Sequence, residues 1–155
     1  MPQLAPGGKF VFGWSIINDD YTIQPPKMAV EEYSSAAEGK VILMSGSKTT
    51  GGFSVSRKSS IEKSKMAPLL DANPSLRDYK LREGEVIEYN GRFFCWLSIS
   101  KSGSIKLNDE ILRAYSIKIG DRLLAIRGSC VGFAMGAKGR LIGLARNYEG
   151  EIEVY

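Results

Sequence analysis

The sequence predicts a mainly β protein with short helices, a closed β-barrel built from two β-β-α-β-β repeats within one intertwined domain spanning residues 1–155. Three observations lead there. The chain matches itself at an offset of 82 residues without a gap from Phe12, against Phe94, to Gly46-Ser47, against Gly128-Ser129. Both copies carry strand, turn and helix signals in the same order. One copy alone would leave its apolar faces uncovered, whereas two can close on each other and remove open sheet edges.

The matches are specific. Phe12 meets Phe94, Trp14 meets Trp96, Ile23 meets Ile105, Tyr33-Ser34 meets Tyr115-Ser116, and Gly46-Ser47 meets Gly128-Ser129. The two tryptophans, the only ones in the chain, pair with each other. A repeat of this length decides the fold and is therefore read first. It places repeat 1 at 9–58, an ordered connector at 59–90, repeat 2 at 91–140 and a C-terminal hairpin at 141–155.

Each repeat opens with a β-rich run, "FVFGWSII" or "RFFCWLSI". A turn follows, Asn18-Asp19-Asp20 or Ser102-Gly103, then a short strand at 21–24 or 104–107. Asn108 is placed to cap a helix whose first turn carries Asp109 and Glu110 against the positive helix end. Ile111, Leu112 and Tyr115 share one face of that helix; Ala29, Val30 and Tyr33 take the same places in repeat 1, after Pro25-Pro26 marks the start. Gly39 or Gly120-Asp121 turns the chain into "KVILMS" or "RLLAIR", and a last strand covers 53–56 or 131–135. The connector reads as a helix around 75–82 and a strand around 86–89, and "RLIGLA" with "EIEVY" as a hairpin turning at 147–150.

Composition narrows the functional classes. The chain has no histidine, which removes the commonest general base and metal ligand and excludes Ser-His-Asp and Cys-His mechanisms. Cys95 and Cys130 fall in apolar runs and are read as reduced core thiols; two cysteines hold no structural zinc site. No enzyme and no cofactor is expected. No apolar run approaches the roughly 20 residues that span a bilayer, and the N-terminus shows no basic-then-apolar signal pattern. A cytoplasmic protein without a membrane partner is the expectation. The net charge of +4 is uneven: residues 91–140 carry nine bases and three acids, +6, while 9–58 carry six and five. Localised positive charge speaks about partners.

The segment "SKSGSIKLNDEILRAYSIKIGDRLLAI", 100–126, resembles the AbrB/SpoVT-like family of swapped-hairpin regulators and antitoxins. Gly103, Ile105, Leu107, Glu110, Ile111, Arg113, Ile117, Gly120 and Asp121 fit its pattern of glycine turn, short strand, "E-[IL]-R" helix and Gly-Asp turn. The resemblance implies an AbrB-like or double-psi-like barrel in which this chain is a fused pseudo-dimer. It also implies a transcriptional regulator that meets double-stranded DNA with basic side chains. The candidates in repeat 2 are Lys101, Lys106, Arg113, Lys118, Arg122 and Arg127. The sequence departs from the DNA-binding members at Ser104 and Leu97, where they carry arginine, and at Leu112, where they carry the first of a pair. Repeat 1 puts Asp19, Asp20, Glu31, Glu32 and Glu38 on the corresponding surface. These departures favour the alternative expectation, a protein-interaction module of the antitoxin or accessory kind that docks a protein partner.

Other motifs carry less. "GAKGR" (136–140) and "SGSKTTGG" (45–52) have glycines and bases suited to a phosphate but not the P-loop spacing, and read as a hairpin turn and a polar loop. Trp14 and Trp96 lie among apolar neighbours and read as core. Glu83 and Glu85 read as a solvated face.

Overall fold

A computed structural model describes residues 10–146, 152, 154 and 155. The first half contains β1 (Val11–Ile16), β2 (Thr22–Ile23), α1 (Lys27–Glu32), β3 (Lys40–Ser45) and β4 (Phe53–Ser56). The connector contains α2 (Lys58–Glu62), α3 (Ala67–Ala72), α4 (Pro74–Arg77) and β5 (Ile87–Tyr89). The second half repeats the first: β6 (Arg92–Ser98), β7 (Ile105–Lys106), α5 (Asp109–Ala114), β8 (Arg122–Ile126) and β9 (Gly132–Gly136). It ends in α6 (Arg140–Arg146). Helices α1 and α5 are each six residues long, and they start 82 residues apart, as do β3 and β8.

The halves exchange strands. Seven strands form one antiparallel sheet in the order β1-β8-β9-β4-β3-β6-β5, and β2 pairs with β7 in a separate ribbon. Thus β1 lies on β8, β6 on β3 and β4 on β9, each pair joining the two halves.

The mainly β character with short helices stands, but the closed barrel does not: the sheet is open, with β1 and β5 at its edges. The reason is visible at those edges. The equivalent outer strands of the two halves, β1 and β6, are each covered by a segment from outside the repeats. β5 pairs along β6. Val154 bridges Trp14, and Tyr155 exchanges backbone hydrogen bonds with Trp14 and Ile16 at 2.6 and 3.2 Å. Edge groups satisfied this way need no barrel closure.

Side-chain alternation gives the sheet two buried faces. Val41, Leu43, Cys95, Leu97, Leu123 and Ala125 point to the inner face, where they join Ile23, Ile105 and the apolar sides of α1 and α5 in the central core. Ile42, Phe94 and Trp96 point outward beneath the connector helices, packed with Ile61, Leu69, Leu70 and Leu76. Val11, Trp14, Leu124 and Ile126 point outward beneath α6, packed with Ile142 and Ala145. Both tryptophans are therefore core residues, as expected, and each lies under its own helical layer; the Trp96 indole N–H donates to Leu81 O at 2.8 Å.

Several expectations are corrected. "RLIGLA" forms helix α6 rather than a hairpin arm. Ile142 and Ala145 are both buried at a spacing of three, a helical face that a short apolar run disguises as a strand. The expected turn at 147–150 lies outside the described residues. The connector helix around 75–82 shrinks to α4 and is preceded by α2 and α3. Phe12 and Phe94, aligned in sequence, face opposite sides: the register slips between Val11 and Gly13, a β-bulge that turns Phe12 inward. Cys130 is exposed in the turn before β9, while Cys95 alone is a core thiol.

Candidate nucleic-acid interface

The basic segment is held by apolar anchors at alternate positions. The turn after β6 is built by serines: Ser100 Oγ accepts from Ser104 N at 2.9 Å, and Ser100 O from Gly103 N at 2.9 Å. Gly103 is required there. Its φ is +96°, and a Cβ would stand 2.5 Å from Val30 Cγ2, so the turn is seated directly on α1. Lys101 projects from this turn and is exposed.

Along β7, Ile105 and Leu107 are buried and Lys106 between them is exposed, opposite Thr22 of β2. Asn108 caps α5, accepting from Ile111 N at 2.8 Å and donating to Gly84 O at 3.1 Å. Ile111 and Leu112 bury the helix, which leaves Arg113 exposed in its last turn, where a cation suits the helix dipole. Ile117 is buried and Lys118 exposed. Asp121 accepts from Lys118 N at 3.0 Å, and Gly120 N donates to Ile17 O at 2.8 Å, which fixes the turn against the first half before Arg122 emerges, exposed, at the head of β8.

Five of the six basic candidates, Lys101, Lys106, Arg113, Lys118 and Arg122, are therefore solvent-exposed, and none forms an ion pair among the described residues. Arg127 differs. It makes a two-pronged contact with Glu32, at 2.8 and 2.5 Å, and lies over the rings of Phe10 and Phe12 at 5.0 and 5.8 Å. The Glu32 carboxylate raises its pKa above the ordinary arginine value. Five residue steps of β-strand, about 17 Å, also separate it from Arg122. Arg127 ties the halves together instead of joining the exposed set.

Acids lie near several of these bases, Asp121 beside Arg122 among them. Asp20 is hydrogen-bonded by the Thr22 hydroxyl and N–H, which lower its pKa, and Lys106 adds a weaker pull in the same direction. Asp109 accepts from the Tyr21 hydroxyl at 2.7 Å, which raises the phenol's pKa.

Arg146 was not anticipated. Misreading α6 as a strand hid it, but it is exposed and lines a cleft of about 450 Å³ together with Arg122, Asp121 and Trp14. The positions equivalent to the five exposed bases in the first half are Asp19, Gln24, Glu31, Ala36 and Lys40. Lys40, the one base among them, is folded over the rings of Tyr79 and Trp96 at 4.7 and 5.5 Å. The exposed bases thus belong to the second half, and the first half has no matching set. No helix among the described residues is long and apolar enough to cross a membrane, and no group of three or more potential metal-ligating side chains occurs among them. Comparison with known proteins finds no family model that matches the chain and no curated protein similar to it.

Proposed function

We propose that the protein binds double-stranded DNA as a transcriptional regulator, through the exposed bases of its second half; the sequence resemblance of 100–126 to AbrB-like regulators supports this reading. One observation carries this reading. Lys101, Lys106, Arg113, Lys118 and Arg122 are presented to solvent, without ion-pair partners among the described residues, by elements anchored in the core, and the segment around them carries the chain's excess charge. Bases held this way neutralise phosphates and release their counterions. Because the equivalent places in the first half hold two acids, two neutral residues and the engaged Lys40, a symmetric grip on two half-sites is not expected.

Anisotropy of a mixed-sequence duplex with the Arg113→Ala and Lys101→Ala variants tests it. Each variant weakens binding uniformly across sequences and lowers the salt slope by about 1. Arg127→Ala leaves that slope unchanged, because Arg127 is engaged with Glu32. A wild-type chain that binds no duplex at low salt rejects the reading. The protein-docking alternative would then take its place, favoured by Met28, 48 % exposed on α1 beside the Lys27–Glu31 ion pair.

A further inference from the structure

The fold brings together two loops that are far apart in sequence. The β3–β4 loop, 46–52, and the residues after β9 line one cleft of about 400 Å³ with Lys48, Lys138, Ser47 and the half-buried ring of Phe93. We propose that this cleft binds a phosphate group.

The loops are fixed rather than merely adjacent. Gly46 N donates to Gly52 O at 2.9 Å and Gly51 N to Ser47 O at 2.8 Å. Ala137 N and Lys138 N both donate to Thr50 O at 2.9 Å, which clips the second loop onto the first. The glycines allow this closeness: a Cβ at Gly46 would lie 2.0 Å from Gly51 O, and one at Gly52 would lie 1.9 Å from Met135 O. Lys48 and Lys138 are both exposed, and neither has an acidic partner among the described residues. No acid lines the cleft. Its charge is therefore uncompensated, its loop backbone is pre-set, and its volume suits a small phosphorylated molecule with an apolar part against Phe93.

The repeat supplies an internal contrast. The equivalent cleft at the other end of the pseudo-symmetric sheet is lined by Tyr33, Gly128, Ser129 and Cys130, matching Tyr115, Gly46, Ser47 and Lys48. There Glu32 stands where the first cleft has Ala114. Its two arginines are already neutralised, Arg127 by Glu32 and Arg57 by Glu38 at 3.4 Å. Of these two equivalent clefts, the Lys48–Lys138 one is the one whose bases have no acidic partner among the described residues. This argument is independent of the exposed bases of 100–126.

A phosphate could reach the cleft on a small molecule or on a nucleic-acid backbone. Calorimetric titration with inorganic pyrophosphate, with the wild-type chain and the Lys48→Ala and Lys138→Ala variants, tests the site. The expected result is saturable binding that each variant weakens by at least about tenfold, with Lys101→Ala unaffected. Duplex anisotropy with the same variants separates the sources. Unchanged duplex binding assigns the phosphate to a small molecule, and a parallel loss assigns it to DNA. Absence of pyrophosphate binding in wild type, or equal binding by the Lys48→Ala/Lys138→Ala double variant, overturns the proposal.

Discussion

At the scale of single residues, the repeated Tyr-Ser pairs have a shared physical task. Ser34 and Ser116 adopt left-handed φ values of 50° and 56°, just past the ends of α1 and α5. In each case the serine N–H and the next N–H reach back into the helix. Ser34 bonds Glu31 O at 3.2 Å and Ser35 bonds Val30 O at 2.9 Å, while Ser116 and Ile117 do the same with Arg113 and Leu112 at 3.3 and 3.0 Å. A left-handed serine costs about 1–2 kcal/mol, against about 0.5–1 kcal/mol for the added chain entropy of glycine. Ser34→Gly is therefore expected to stabilise by roughly 0.5–1 kcal/mol, a rise of about 1–4 °C in Tm by calorimetry. Cys95 gives a second test. Burial pushes its thiol from 9.0 up to about 12, with Tyr115 alongside at 3.5 Å and itself raised by burial. The unfolded thiol ionises near 9.0 and the folded one does not, so this contribution to stability is intact below pH 9.0 and declines as pH rises toward about 12. Urea midpoints above pH 9.0 should fall more steeply for wild type than for Cys95→Ala. A native-state thiol assay should label Cys130 rapidly and leave Cys95 unlabelled until unfolding.

At the scale of elements, edge covering decides the shape. β5 and the Val154–Tyr155 pair occupy the outer sides of β6 and β1. Removing Val154 and Tyr155 strips two backbone hydrogen bonds from β1, each worth about 1 kcal/mol net, and should lower Tm by about 4–8 °C while increasing concentration-dependent association through the freed edge; dynamic light scattering reads the latter. Much of this level was legible in the sequence. The Asn108 cap, the apolar runs of β3 and β8 and the order of strands and helix in each half follow from local chemistry, and local chemistry is what a sequence carries. The rest depended on partners distant in the chain. Nothing local tells a barrel from an open sheet when the deciding fact is which segment reaches the free side of β1. Gly13 looked like any strand glycine, yet the bulge it permits sends Phe12 to the face opposite Phe94. The five apolar or small residues that follow Arg140 in "RLIGLA" fit a strand or a helix equally until Trp14, Leu124 and Ile126 are seen beneath them.

At the scale of the whole molecule, two halves of similar shape carry different charge. The halves share an inner core and exchange strands, so neither can be altered without the other, but their surfaces have diverged. The sequence turns Lys106, Lys118 and Arg122 outward by alternation with buried Ile105, Leu107, Ile117 and Leu123, and leaves Lys101 exposed in a turn and Arg113 at a helix end. It could not exempt Arg127, whose partner Glu32 lies 95 residues away, nor join Lys48 to Lys138 across the β4–β9 pair. The exposed bases of the second half are proposed to meet the phosphates of DNA. The most direct measurement is the anisotropy of a mixed-sequence duplex at low and at physiological salt. Neutralisation of about five phosphates predicts micromolar or tighter binding at low salt and a loss of a few hundredfold between about 50 and about 200 mM salt. Absence of binding at low salt, or affinity that does not change with salt, would contradict it.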